Sequence, residues 1–186
     1  GFSTVAIDEF VVAGSRRRAI FSGDTIVDHR YWGEQALSDA FCRLAGALKA
    51  MEPATPLYWF LISKGYRTFR YLRLFSRRYF PHPVDPTPTE MATCLHTLAL
   101  ARFGSAWHRE QGLIRFGMSQ GHLKPEWAGV RAGLRRREEI GFFLERNPGY
   151  VSGDELACIT ELTCANLRAR AARSFREALN GGPAFL

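Results

Sequence analysis

Apolar positions along this chain change their spacing several times, and each change marks an element. Residues 4–12 (Thr-Val-Ala-Ile-Asp-Glu-Phe-Val-Val) and 18–21 (Arg-Ala-Ile-Phe) flank the polar stretch 13–17. They predict a strand pair across a turn, continuing into strand near Thr25, Ile26 and Val27. The spacing then becomes helical: Leu37, Phe41, Leu44, Leu48 and Met51 recur every three or four residues, with Ala36, Ala40 and Ala47 small enough for close packing on a sheet. This helix is expected over residues 32–51, where Pro53 and Pro56 stop it. Residues 57–62 (Leu-Tyr-Trp-Phe-Leu-Ile) form an apolar, aromatic run that reads as a buried strand. Strand, helix and strand in quick succession make a crossover unit.

The later pattern is less regular. Between Ser63 and Pro81, Phe69, Leu72 and Phe75 or Leu74 fall on one side of a helix, with Arg67, Arg70, Arg73 and Arg77 around the other. Thr87-Pro-Thr-Glu90 reads as a capping box opening a helix through Met91, Leu95, Leu98 and Phe103 to Gly104. Residues 105–124 are punctuated by Gly112, Gly117 and Gly121, leaving Trp107, Leu113, Ile114 and Phe116 to line a pocket. A further helix starts at residues 125–127 and runs toward Glu138 and Glu139. Residues 140–146 and 155–162, separated by Asn147-Pro-Gly149, are expected to form an antiparallel strand pair. From Thr163 an Ala-rich basic helix carries Leu167, Ala171, Phe175 and Leu179 toward residues 181–182, to pack on the body or on a second subunit of a homodimer.

The chemistry-bearing segment is residues 21–37, an apolar strand, a polar turn and the opening of a helix. A helix start leaves backbone N–H groups unpaired and aimed at one place, and the helix dipole favours an anion there. Within it, Asp28-His-Arg-Tyr-Trp-Gly-Glu-Gln-Ala-Leu-Ser38 resembles the pyrophosphate turn of the acyl-CoA N-acyltransferase (GNAT) superfamily, whose signature is Arg/Gln-x-x-Gly-x-Gly/Ala. Arg30 and Gly33 fit the first two motif positions and Gln35 departs at the third; in the other register only Gly33 is kept, with Gln35 and Leu37 in place of glycines. A lost glycine matters because a side chain narrows the approach of a pyrophosphate to the backbone.

The resemblance implies an α+β fold: a GNAT-like mixed, largely antiparallel central sheet flanked by helices, with a helical insertion over 81–139 and a C-terminal helix over 163–180. It implies acyl-CoA, with coenzyme A as the leaving product, held by Ile26, Val27, Arg30, Tyr31, Trp32, Gly33, Glu34, Gln35 and Ala36. It implies a tyrosine that protonates the departing thiolate, for which Tyr66 and Tyr71 are the candidates and Tyr79 a later third. Glu9, Asp24 and Asp28 are the carboxylates available as general base toward an amine, Asp28 fitting a turn or cap as well. The family's leading strand and two helices have no clear place before Gly1, and the chain lacks an initiator Met. Tyr58, Trp59, Phe60, Phe69, Phe75 and Phe80 would favour an acyl chain longer than acetyl unless they are core.

Composition narrows the alternatives. The 186 residues are 46% hydrophobic, enough for a full core in a single domain over 1–186. No run of about 18 apolar residues and no signal peptide is read, which fits a cytoplasmic protein. Cys42, Cys94, Cys158 and Cys164 lack metal or disulfide spacing and read as free thiols. His29, His82, His96, His108 and His122 are scattered, so no metal is expected. The net charge of +7, with clusters at residues 16–18, 77–78 and 135–137, raises nucleic acid as a partner. Such runs are more often solvated faces, and no nucleic-acid motif accompanies them.

Three readings follow. The first is an N-acyltransferase moving an acyl group from acyl-CoA, or from an acyl carrier protein, to a small-molecule amine by direct attack. The second is a GNAT-like domain that binds a ligand or partner without catalysis. The third is a basic nucleic-acid-binding module.

Overall fold

A computed structural model describes residues 1–31, 34–118 and 121–181. The fold is α+β, a six-stranded, mostly antiparallel mixed sheet flanked by helices, in the strand order β1-β2-β3-β6-β5-β4. The strands are β1 (Phe2–Val12), β2 (Ser15–Ile26), β3 (Leu57–Ser63), β4 (Trp107–His108), β5 (Leu113–Ile114) and β6 (Glu155–Glu161). The helices are α1 (Ala36–Met51), α2 (Tyr66–Phe75), α3 (Thr89–Phe103), α4 (Pro125–Ala128), α5 (Ala132–Arg135), α6 (Glu138–Arg146) and α7 (Ala169–Gly181). The chain divides into two compact units, one of residues 1–60, 74–78 and 160–186, the other of 61–73 and 79–159.

The first unit starts with a long antiparallel hairpin. Val12 faces Ser15, and Ala13 and Gly14 turn the chain with φ of 50° and 75°. Two successive left-handed residues match the twist of the strands they join. The pattern therefore predicted the hairpin correctly, with a two-residue turn in place of the five-residue one. The Arg18 N–H bonds Pro56 O and the Trp59 indole bonds Ser22 Oγ, so the pairing advances in the same direction along β2 and β3. β2, α1 and β3 are the expected crossover. Leu162 N–H reaches Leu57 O, bringing the end of β6 to the start of β3, and these two strands run oppositely.

Arg17 and Arg18 are buried in this hairpin. Arg17 donates to the Tyr58 hydroxyl at 2.7 Å, while Arg18 reaches Leu48 O and the Glu52 carboxylate at the end of α1. A cation at a helix C-terminus meets unpaired carbonyls and the negative end of the dipole. Arg16 is bound between Glu9 and Glu52. The first basic cluster is thus committed to structure. Around it Phe21 packs on Phe60, and Phe41, Trp59 and Phe75 pack on one another. α7 lies on α1 at Gly46, where a Cβ would overlap the Phe175 carbonyl oxygen.

In the second unit the core gathers on Phe69 and Phe143, whose rings are 5.7 Å apart, with Tyr79 and Tyr150 at their edges. Leu113, Ile114, Leu156 and Ile159 are buried sheet residues. β5 pairs antiparallel with both β4 and β6.

Several boundaries and one element differ from expectation. Residues 138–146 are helix, not strand: Glu139, Ile140 and Phe143 are the buried side chains, a helical spacing that an unbroken apolar run conceals. The buried Asn147 then donates to Asp154 O at 2.8 Å and directs the chain toward β6. The strand that pairs with β6 there is β5, so residues 81–139 contain part of the sheet and are not a purely helical insertion. α1 starts at Ala36 because residues 29–31 close a separate 3-10 turn. α2 ends at Phe75, where Ser76 and Phe80 make bridges to Leu167 and Ile159. α3 starts at Thr89, too late for a capping box from Thr87, and no side chain caps it. The helix at 125–139 is broken into α4, α5 and the start of α6, and the C-terminal helix begins at Ala169 after a turn at 163–167.

Candidate functional site

The hairpin is irregular at one place. Val5 faces Ser22 and Ser3 faces Thr25, so two steps along β1 match three along β2. The extra residue makes a β-bulge at Gly23 and Asp24. Thr4 Oγ1 sits against it, 3.5 Å from Asp24 O, and a Cβ on Gly23 would lie 2.6 Å from that oxygen. A side chain at Gly23 would have to turn the Thr4 hydroxyl aside, while the Thr4 carbonyl, 3.8 Å from such a Cβ, would not be crowded. Ser3 and Thr25 join hydroxyls at 2.8 Å beyond it.

β2 then leads into the turn. Asp28 accepts the Arg30 backbone N–H at 3.0 Å and the Arg30 guanidinium at 2.7 Å. The guanidinium first, and the N–H after it, hold the Asp28 carboxyl well below the usual range, at about 2. Asp28 is therefore a turn residue, and Arg30 has a carboxylate at hand as well as the Tyr31 ring beneath it, 5.8 Å from the ring centre. Glu34 N–H reaches Tyr31 O, and α1 follows from Ala36 with Gln35 at its cap and no side-chain cap bond. The first turn of α1 is closed by the Asp39 N–H, which donates to Gln35 O at 2.8 Å. Ile26 is exposed and Val27 half-buried on the way into the turn. Trp32 and Gly33 lie outside the described residues.

The expected base and acid residues separate. Asp24 belongs to the bulge. Glu9 faces Arg18 six residues along β2, roughly 20 Å away at ~3.3 Å per strand residue, and it is bonded to Arg16. Glu9 is a strut of the hairpin. Tyr66 opens α2 and is buried, while Tyr71 on the same helix is exposed. Tyr79 is packed between Phe69 and His82. The aromatic complement expected along an acyl chain is core: Tyr58, Trp59, Phe60, Phe69, Phe75 and Phe80 are all buried. Trp107 donates to His96 Nδ1 at 2.9 Å, and burial keeps His96 below the ordinary histidine value.

Tyr66 also lines a cavity of about 680 Å³ in the second unit, together with Arg67, Arg70, Glu126, Val130, Arg131 and Leu134. Sequence reasoning placed Arg67 and Arg70 on a polar helix face and did not single out Arg131. The bulge was missed too, though an isolated Gly-Asp inside a strand pattern is its signal.

Burial pushes the Cys42 thiol up to about 12 and the Cys158 thiol further, so neither is a ready nucleophile. Among the described residues, no three His, Cys, Asp or Glu side chains gather as a metal site. No described helix is long and apolar enough to cross a membrane. No protein-family model, curated protein or solved structure matches this chain, and the reading of the site rests on its own geometry.

Proposed function

We propose that this chain is an N-acyltransferase that passes an acyl group from acyl-CoA, or from the same phosphopantetheine arm on a carrier protein, to a small-molecule amine. The observation that carries this reading is the β2 bulge at Gly23 and Asp24, set directly ahead of a turn and a helix N-terminus. A bulge turns backbone polar groups out of the ladder, which is what polarising a thioester carbonyl requires. The helix start offers N–H groups and a positive dipole end to the pyrophosphate. The order β2, turn, α1, β3 and the tyrosine-bearing α2 keeps the sequence of elements on which the resemblance rests.

In this reading the amine attacks the thioester carbon directly, the C–S bond breaks, and the thiolate leaves with a proton. Asp24 is the carboxylate at the bulge that takes the proton from the amine. Solvent supplies the proton to the leaving sulfur in this reading.

Arg30 supports a second reading, binding without catalysis: its carboxylate partner Asp28 already takes up part of the charge expected to meet a phosphate. The nucleic-acid reading is weakened because Arg16, Arg17 and Arg18 are engaged within the hairpin.

Acyl-CoA thioesters of short and long chain should raise the melting temperature and bind in competition with coenzyme A. Ala36→Glu suits a helix N-terminus but repels phosphate, so it should keep the fold and weaken acyl-CoA about tenfold. No binding at millimolar ligand sinks both acyl-CoA readings; binding with no transfer across many amines favours the second.

A further inference from the structure

The cavity in the second unit is built from α2 and the segment 126–134, and its wall carries three arginines against one glutamate. Arg67 and Arg70 come from the first half of α2 and Arg131 from the cap of α5. The Arg67 guanidinium lies over the Tyr66 ring, 4.9 Å from its centre. Arg70 is steered by the buried carboxylate of Glu139 at 3.6 Å, which also takes Arg73 at 2.7 Å. Arg70 is half-buried beside Glu139, while Arg67 and Arg131 are exposed at the rim.

With Glu126 the one carboxylate among the lining residues the wall is net positive, and planar guanidinium forks match carboxylate and phosphate oxygens. The rest of the wall is different in kind. Val130 is buried, Leu134 half-buried, and the Tyr66 ring is apolar on its face. The volume falls within the ~300–1,000 Å³ usual for small-molecule sites.

We propose that the cavity lined by Tyr66, Arg67, Arg70, Arg131, Val130 and Leu134 binds a small organic anion, its carboxylate or phosphate head on the guanidiniums and its apolar body on Val130 and Leu134. The proposal goes beyond acyl transfer and holds whether or not the chain performs it. An apolar body distinguishes the ligand from inorganic phosphate, which leaves Val130 and Leu134 unused.

Phenyl phosphate and benzoate, which share a ring and differ in head, test this by titration calorimetry at fixed ionic strength, with inorganic phosphate as the third arm. At least one ring-bearing anion should bind saturably, one per chain, and more tightly than inorganic phosphate; which one names the head. Arg131→Glu and Arg67→Glu should each weaken it about tenfold or more, while Arg176→Glu, the same charge change on an exposed position of α7, should alter it less than about twofold. Ala36→Glu should leave it intact even where acyl-CoA binding is lost. In the unaltered chain the bound anion should protect Arg67 and Arg131 from phenylglyoxal, read by mass spectrometry. Lack of saturable binding by both ring-bearing anions up to about 10 mM, equal weakening in Arg176→Glu, or no protection of the two arginines would overturn the proposal.

Discussion

The indole N–H of Trp59 donates to the Ser22 hydroxyl at 2.9 Å, fastening β3 to β2 one residue before the bulge. Trp59 also packs on Phe41 and Phe75, so its ring position is set from two sides and the hydrogen bond transmits that position to the bulged strand.

Trp59→Phe retains an aromatic ring and removes the donor. The expected loss is about 1 kcal/mol of stability, with faster amide exchange at Gly23 and Asp24. Urea unfolding and hydrogen exchange measure the two, and unchanged exchange at the bulge would show that Ser22 needs no such anchor.

Asp28 sets a pH dependence whose sign is fixed by its depressed carboxyl. Its contribution to the turn is fully present above the ordinary value of 3.8 and is lost as the pH falls toward 2. Asp39, held down by Arg170, and Glu52, held down by Arg16, act in the same direction. An NMR titration should place the Asp28 carboxyl near 2 in the unaltered chain and move it back toward 3.8 in Arg30→Gln. A midpoint indifferent to Arg30 would contradict the pairing.

Gly46 decides how close α7 comes to α1. Alanine there gains about 1 kcal/mol of helix propensity but meets a backbone carbonyl oxygen at Phe175, which cannot rotate aside. Overpacking of this kind costs about 1–3 kcal/mol, so Gly46→Ala should lower stability on balance, by calorimetric or denaturant midpoint. A raised midpoint would mean that α7 slides freely.

Glu139 is buried, while the Arg73 side chain that holds it is about half exposed at 54%. Glu139→Gln leaves arginines that reach water, whereas Arg70→Ala with Arg73→Ala strands a buried carboxylate. The double arginine variant should therefore be the more damaging, by about 3 kcal/mol or more against the unaltered chain. Equal effects would show that water already reaches Glu139.

The elements that were legible are those in which local spacing and burial agree. The buried run 57–62 needed no partner to be recognised; α1 was recognised as a helix, but of its expected stripe only Leu48 is buried, with Leu37 and Met51 exposed. Residues 140–146 failed because Ile140, Phe142, Phe143 and Leu144 satisfy a strand and a helix alike, and only the identity of the strand beside β6 decides between them. That partner, β5, is two residues long and carries no periodicity of its own. At the site, the Asp28 turn could be read because its bonds to Arg30 are local, whereas the helix expected from residue 32 starts at Ala36 with no side-chain cap to mark it. Glu9 could not be excluded from sequence, because its ion pair with Arg16 depends on the hairpin register. The cavity was hidden for a similar reason: Arg67 and Arg131 are 64 positions apart and meet only through the fold.

The strand order has a consequence for biosynthesis. β6 holds an interior place in the sheet, yet among the described strands it comes last in sequence. The β1-β2 hairpin can zip from its own turn as soon as it emerges, but β3 and β5 wait for the strand between them, which starts at Glu155. During that interval two apolar strand edges are bare in the nascent chain. Truncation before Glu155 should therefore yield aggregation and chaperone dependence rather than a smaller soluble fold.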